Sequence, residues 1–220
     1  CKNNIVSIWN LVVKNNIMNF IDECFIDSKV CSDLIEYFHS VDAPYKKQAE
    51  SVWRNSDTNE WERKVNNEIK QCTEISINVS GVKGYNYSLP INEIVERYLT
   101  ELQNCTDEYC KKFNYCNDGA PWTIVEPFNI QHYKPGESYK EWHTERTSGT
   151  FPFAARHLVF MTYLNTVTDK GGTEFYHQKL ITDAVVGKTL IWPSDWTHVH
   201  RGIPSPTQEK TIATGWLSFY

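Results

Sequence analysis

The chain has 220 residues, a hydrophobic fraction of 40% and a charged fraction of 22%, the balance of a folded domain and not of a disordered chain. At about 150 residues per domain, it is one large domain or one domain with an extension. A net charge of −5, from 22 basic and 27 acidic side chains, argues against a general nucleic-acid binder, which needs cationic surface for phosphates. Apolar runs such as Ile8–Val13 and Leu158–Met161 fall far short of the roughly 18 residues that span a bilayer.

All seven cysteines (Cys1, Cys24, Cys31, Cys72, Cys105, Cys110 and Cys116) lie in the first 116 residues. An odd number at irregular spacing, with no Cys-x-x-Cys pair, is a poor disulfide or zinc framework. No basic-then-apolar leader opens the chain. The expectation is free, partly buried thiols in a reducing cytoplasm. Glycosylation sequons at Asn78, Asn86 and Asn104 matter only in a secreted protein.

The predicted elements run as follows. Asp27-Ser28 caps a segment whose Val30, Leu34 and Phe38 recur at helical spacing, so a helix covers about 28–39. Residues 44–70 are charged and polar, and read as a long irregular or partly helical insertion with Trp53 and Trp61 as anchors. After Pro90, the apolar residues Ile91, Ile94, Val95, Tyr98, Leu99 and Leu102 share one face and predict a helix running toward Lys112.

From Ala120 the pattern changes. Segments rich in β-branched and aromatic residues follow one another: Trp122–Tyr133, His157–Leu164, Thr173–His177, Leu180–Val186, Thr189–Trp192 and Thr211–Phe219. Pro135-Gly136 and Gly171-Gly172 are turn signals between them. Short strands at this spacing predict a jelly roll. The fold class is therefore α+β, mainly β. Residues 1–119 form a helical and irregular support region packed on a jelly-roll core over 120–220, in one compact structural domain.

Six of the seven histidines lie in the β-rich half. For His132, His157 and His177 the ordinary reading is a surface or hydrogen-bonded imidazole. His143 and Glu145 stand two apart on an extended segment, so their side chains point to one side and can grip a single metal ion. His200-Arg-Gly-Ile-Pro204 lies in the β-rich tail, and Lys210 follows ten residues after His200. Two imidazoles and one carboxylate on one face of an octahedral Fe(II) leave three positions open, enough for a chelating 2-oxo acid and dioxygen. Lys210 is a cation for the far carboxylate of a dicarboxylic co-substrate. His198 competes with His200, because both project to the same face of a strand. A His198–His200 pair with His143 and Glu145 would build a four-ligand cupin site instead.

These residues carry a resemblance. Residues 128–220 resemble the double-stranded β-helix core of the Fe(II)/2-oxoglutarate dioxygenases and, within them, the prolyl 4-hydroxylase-like branch. Tyr133-Lys-Pro-Gly136-Glu-Ser-Tyr139 is similar to that branch's Tyr-x-x-Gly-x-x-Tyr segment, and Gly172-Thr173-Glu-Phe175 to its Gly-x-Thr-x-Phe strand. His200-x-Gly-x-Pro204 with Lys210 matches its second histidine and co-substrate lysine. Trp142–Glu145 and Ile191–Pro193 resemble segments of small hydroxylase-like proteins from marine bacteria and their phages. Two departures stand out: Glu145 replaces the usual Asp ligand, and the gap from Tyr139 to His143 is one residue longer than usual.

The resemblance implies Fe(II) on His143, Glu145 and His200. It implies 2-oxoglutarate held by Lys210, with Tyr133 or Thr173 assisting, dioxygen as oxidant, and ascorbate as a possible reductant. It implies hydroxylation of a C–H bond of a peptidyl proline or related residue, with release of succinate and carbon dioxide. A protein or peptide is the expected substrate, with a small molecule as the alternative, and neither nucleic acid nor membrane is an expected partner. Trp142, Arg201 and Tyr139 are the candidate substrate contacts. The setting it suggests is the cytoplasm of a bacterial or virus-infected cell. The competing readings are a four-ligand cupin acting on a sugar or small metabolite, and a jelly-roll binding module without turnover.

Overall fold

The structure, a computed structural model, describes residues 18–54, 61–79 and 88–220, with side chains omitted for 52–54 and 61–63. Cys1, the Ile8–Val13 run, the Asn86 sequon and the side chains of Trp53 and Trp61 lie outside the described residues.

Strand β1 (Asp22–Phe25) leads into helix α1 (Ser28–Ser40). Asp27 caps this helix, its carboxylate accepting from the Lys29 amide at 2.7 Å, which satisfies one orphan donor of the first turn. Helix α2 (Glu93–Lys112) begins after Asn92, whose side chain accepts from the Val95 amide at 2.9 Å. Glu93 and Glu96 in its first turn and Lys111 and Lys112 in its last complement the helix dipole. Among the described residues no helix is long and apolar enough to cross a membrane.

The insertion over 44–70, expected to be irregular or partly helical, contains three short strands. It holds β2 (Lys47–Gln48) and a hairpin of β3 (Ser51–Arg54) with β4 (Trp61–Lys64). These strands are charged and polar, so no apolar alternation announced them. Strand β5 (Thr73–Ile77) follows. The β-rich half supplies β6 (Trp122–Thr123), β7 (Phe128–Tyr133), β8 (Arg156–Tyr163), β9 (Thr173–Phe175), β10 (Leu180–Thr182), β11 (Lys188–Pro193), β12 (His200–Gly202) and β13 (Lys210–Phe219).

The major sheet runs β1-β11-β8-β13-β7-β5-β2, with β6 also on β13, and the minor sheet runs β10-β9-β12. All the registered pairs are antiparallel. The central strands are apolar on both faces, and alternation shares their side chains between two cores. Leu158 and Phe160 of β8, Ile191 of β11, and Ala213 and Leu217 of β13 pack under α1 and α2. Their neighbours Val159, Met161 and Tyr163, Leu190 and Trp192, and Ile212 face the barrel interior. Each fully buried side chain of this size contributes about 1.5–3 kcal/mol.

Gly172 is needed where β9 meets β10: a Cβ there would lie 1.9 Å from the Thr182 carbonyl oxygen. Gly136 turns the chain after β7 with φ +83°, a left-handed conformation that favours glycine.

The cysteine expectation needs correction. Cys24 and Cys105, which are 81 residues apart, form a disulfide that ties β1 to α2. Cys31, Cys72, Cys110 and Cys116 are free, and the Sγ atoms of Cys110 and Cys116 are 3.5 Å apart. Sequence spacing could not identify the pair because packing of α2 against β1 brings it together.

Candidate active site

The loop after β7 returns to the minor sheet at His143. There His143 and His200 form an antiparallel bridge, their amides and carbonyls exchanging hydrogen bonds of 3.0 and 2.9 Å. This backbone pairing sets the two rings 4.3 Å apart. Two residues on, the Glu145 amide donates to the carbonyl of Ser194 at 3.2 Å, anchoring the loop just past β11. Ligand atoms of His143, Glu145 and His200 thus lie within 4.8 Å of one another.

Both rings have one nitrogen committed. His143 Nδ1 faces the Glu141 carbonyl at 2.9 Å, and His200 Nδ1 faces the His198 carbonyl at 2.9 Å. A carbonyl only accepts, so each Nδ1 carries a proton, and in the neutral ring Nε2 keeps its lone pair for a metal. The two Nε2 atoms face Glu145 Oε1 at 3.6 and 3.5 Å. Burial and the neighbouring His200 push the His143 pKa down, which favours the neutral, ligating form. Burial works to raise the Glu145 pKa, but the facing imidazoles outweigh it and hold the carboxyl well below its usual range.

Glu145 Oε2 is occupied differently. It accepts the Trp216 indole N–H at 2.9 Å and lies 3.4 Å from Arg156 Nη1. Arg156 is in turn gripped by Glu126 through two bonds of 2.8 and 2.7 Å. Its guanidinium lies 3.5 Å over the Trp216 ring. The sequence reading singled out none of Glu126, Arg156 and Trp216. The available signal was Arg156 itself, a lone charge heading the otherwise apolar run of β8.

Aromatic walls fix the imidazoles. Tyr139 stacks on His143 at 3.6 Å with an interplanar angle of 6°. Trp192 meets the His200 ring edge-on at 5.0 Å, and Phe175 lies 5.7 Å from it.

Lys210 lies inside the barrel, 4% exposed. Its ammonium donates to the Gly171 carbonyl at 2.9 Å and the Ile203 carbonyl at 3.4 Å, and it sits 5.1 Å over the Tyr133 ring. No carboxylate pairs with it among the described residues, and burial pushes its pKa down to about 8. The Tyr133 hydroxyl donates to Gln131 Oε1 at 2.7 Å. Thr173 is buried, its hydroxyl 2.7 Å from that of Tyr163.

The other predicted residues separate. Trp142 lies under the Arg201 guanidinium at 4.3 Å, and Arg201 pairs with Glu174 at 2.9 Å. His132 contacts the Thr211 hydroxyl at 3.0 Å and His157 the Cys116 carbonyl at 2.8 Å. His177 stands 6.3 Å from Trp196.

His198 corrects an expectation: it ends a short 3-10 turn (Trp196–His198) and shares no strand face with His200. One ring nitrogen meets the Asn19 carbonyl and the other the Thr197 hydroxyl, each at 2.9 Å. A separate cleft of about 530 Å³, lined by Leu102, Thr106, Cys110 and Trp122 among others, lies between α2 and β6 and contains none of these site residues.

Comparison with known proteins bears on the family and the fold. Residues 128–218 match the 2OG-Fe(II) oxygenase superfamily. Enzymes of this superfamily use Fe(II), 2-oxoglutarate and dioxygen, as the sequence implied. The fold is prolyl 4-hydroxylase-like. A Pseudomonas putida prolyl-4-hydroxylase aligns over 91% of this chain and 92% of its own, with TM-score 0.62 and 16% identity. A prolyl hydroxylase from Trichoplax adhaerens, in complex with a hypoxia inducible factor peptide fragment, aligns over 97% and 90%, with TM-score 0.59 and 17% identity. The viral collagen prolyl hydroxylase of Paramecium Bursaria Chlorella virus-1, as its 2OG complex, aligns over 91% and 97%, with TM-score 0.54 and 15% identity. No curated protein matches the sequence. The likeness of fold reaches well into the first half, further than the sequence resemblance, which is firm only from residue 128.

Proposed function

We propose that this oxygenase hydroxylates a C–H bond of a peptide, a peptidyl proline or related residue, with Fe(II) held by His143, Glu145 and His200. The observation that carries the reading is the convergence of two imidazole nitrogens and one carboxylate oxygen within 4.8 Å. Two nitrogen donors and one oxygen suit Fe(II) and leave positions for a chelating acid and dioxygen. Bound there with its co-substrate, the metal supplies the oxidising chemistry that inserts oxygen into a C–H bond.

The chain's own residues do the rest. Lys210, buried and without a carboxylate partner among the described residues, is placed to neutralise the far carboxylate of 2-oxoglutarate. Tyr133 and Thr173 shape that end of the pocket. Tyr139, Trp192 and Phe175 exclude water around the imidazoles and restrict their rotation. Trp142 and Arg201, stacked together, offer an aromatic and a cationic contact to a peptide outside the minor sheet. The peptide-bound state of the Trichoplax adhaerens protein supports a peptide over a free metabolite. The four-ligand cupin reading loses its fourth donor, because both His198 nitrogens are engaged elsewhere.

The test has two parts. Anaerobic addition of Fe(II) and 2-oxoglutarate should give a visible charge-transfer band in the wild type and none in His200→Ala. Incubation with proline-containing peptides should then give a mass gain of one oxygen together with succinate. No band would refute the metal assignment. A band without peptide oxidation would refute only the substrate class.

A further inference from the structure

A carboxylate ligand has two oxygens, and the second decides how many positions remain open on the metal. Two imidazoles and one oxygen leave three positions of an octahedral ion; if the second oxygen also binds, two remain. Dioxygen and a chelating 2-oxo acid together need three. Glu has one more rotatable bond than Asp, so its second oxygen reaches a bound ion more easily. Glu145 therefore needs restraint that an Asp would not.

The structure provides such a restraint at Oε2. Oε1 faces the two Nε2 atoms at 3.6 and 3.5 Å, while Oε2 accepts from Trp216 at 2.9 Å and faces Arg156 at 3.4 Å. Neither partner can easily swing away. Arg156 stacks on Trp216 at 3.5 Å, is held by both oxygens of Glu126, and donates to the Glu145 carbonyl at 2.9 Å. Trp216 is fixed in the middle of β13, paired with Val159 of β8.

We infer that Trp216 and Arg156 are positioning residues that hold Glu145 to ligation through Oε1 alone and so keep the third coordination position open. The inference rests on the metal assignment proposed above. It gives the replacement of Asp by Glu a physical counterpart: the longer arm is compensated by an indole donor and a guanidinium locked behind it. If Trp216 only filled space, the direction of its N–H would not matter.

Co(II) serves as the metal probe, and 2-oxoglutarate binding to the Co(II)-loaded protein is the second readout. In Trp216→Phe, Co(II) affinity should be kept within about threefold or tighten, while 2-oxoglutarate affinity falls about tenfold, the lower end of effects seen on removing a partner of a metal ligand. In a Glu145→Asp background the shorter side chain withdraws from the indole. There the same Trp216→Phe change should have almost no further effect on 2-oxoglutarate, a non-additivity that packing alone would not give. Equal losses in both backgrounds would overturn the inference. Should Trp216→Phe fail to fold, a crystal structure of the wild type with Mn(II) decides. One Glu145 oxygen on the metal, with Oε2 on Trp216, upholds the inference; both oxygens on the metal overturns it. Failure of the metal assignment looks different, because the wild type would then bind no Co(II) or Mn(II) at His143 and His200, and both readings would fall together.

Discussion

Lys210 and Trp216 stand on the same face of β13, with Ile212 between them in the barrel interior. One strand thus carries the buried cation at one end and the partner of the Glu145 carboxylate at the other, about 20 Å apart along the backbone at roughly 3.3 Å per residue.

Holding Lys210 inside the barrel costs stability. Its pKa, pushed down by burial to about 8 from 10.5, corresponds to a penalty of about 3 kcal/mol at neutral pH, offset in part by the two carbonyl contacts. Lys210→Met, nearly equal in volume, should therefore raise the melting temperature of the ligand-free protein by a few degrees and weaken 2-oxoglutarate binding roughly 30-fold or more. Calorimetry of unfolding and of co-substrate binding measures both. Unchanged co-substrate affinity would remove Lys210 from the site.

The same lysine fixes a pH dependence. Because its folded pKa is lowered, the unfolded chain binds more protons between about pH 8 and 10.5, so its penalty on stability is relieved as pH rises through that window. Binding of the dicarboxylate needs the ammonium, so kcat/KM for 2-oxoglutarate should fall above about pH 8. Lys210→Arg should shift that fall upward, since arginine stays charged.

His143→Ala and His200→Ala should each abolish metal-dependent succinate formation while the far-UV circular dichroism stays that of the wild type. Both rings lie at the edge of the interior and their removal leaves the β8–β13 core untouched. Metal-dependent turnover surviving in either variant would contradict the ligand set.

His198→Ala should leave Co(II) affinity within about threefold of wild type, since this ring binds Asn19 and Thr197 instead, yet cost about 1–2 kcal/mol of stability for the lost contacts. His198 is also one of four histidines, with His132, His143 and His157, whose pKa values burial pushes down. A lowered imidazole pKa favours the neutral form in the fold, so this stability is present above about pH 6.5 and is lost as pH falls below it. Thermal melts from pH 8 to 5 should show that decline, and a flat profile would contradict it.

The Cys24–Cys105 disulfide closes a loop of 81 residues, for which chain entropy gives about 4 kcal/mol. Reduction, or Cys24→Ser with Cys105→Ser, should lower the melting temperature by several degrees. Peptide mapping without reductant should recover the 24–105 pair.

Much of this protein was legible in local sequence. Asp27 and the recurring Val30, Leu34 and Phe38 specified α1, because capping and helical periodicity act within a few residues. The β-branched and aromatic segments after Ala120 specified β7, β8, β11 and β13, again from local composition bounded by turn residues, and His143, Glu145, His200 and Lys210 stood out as chemistry-bearing types at suggestive spacing. The hairpin β3–β4 was invisible because its four-residue strands show no apolar alternation in the sequence. The grip on Glu145 was invisible for a different reason: Glu126, Arg156 and Trp216 lie before β7, on β8 and on β13, and meet only when the sheets close. The Cys24–Cys105 pair and the removal of His198 from the site likewise follow from packing of α2 against β1 and from the Asn19 carbonyl. Side-chain type and period are written in neighbouring residues, but which distant donor satisfies which buried acceptor is set by burial, which forces every polar group inside the barrel to find a partner from whatever strands the fold brings beside it.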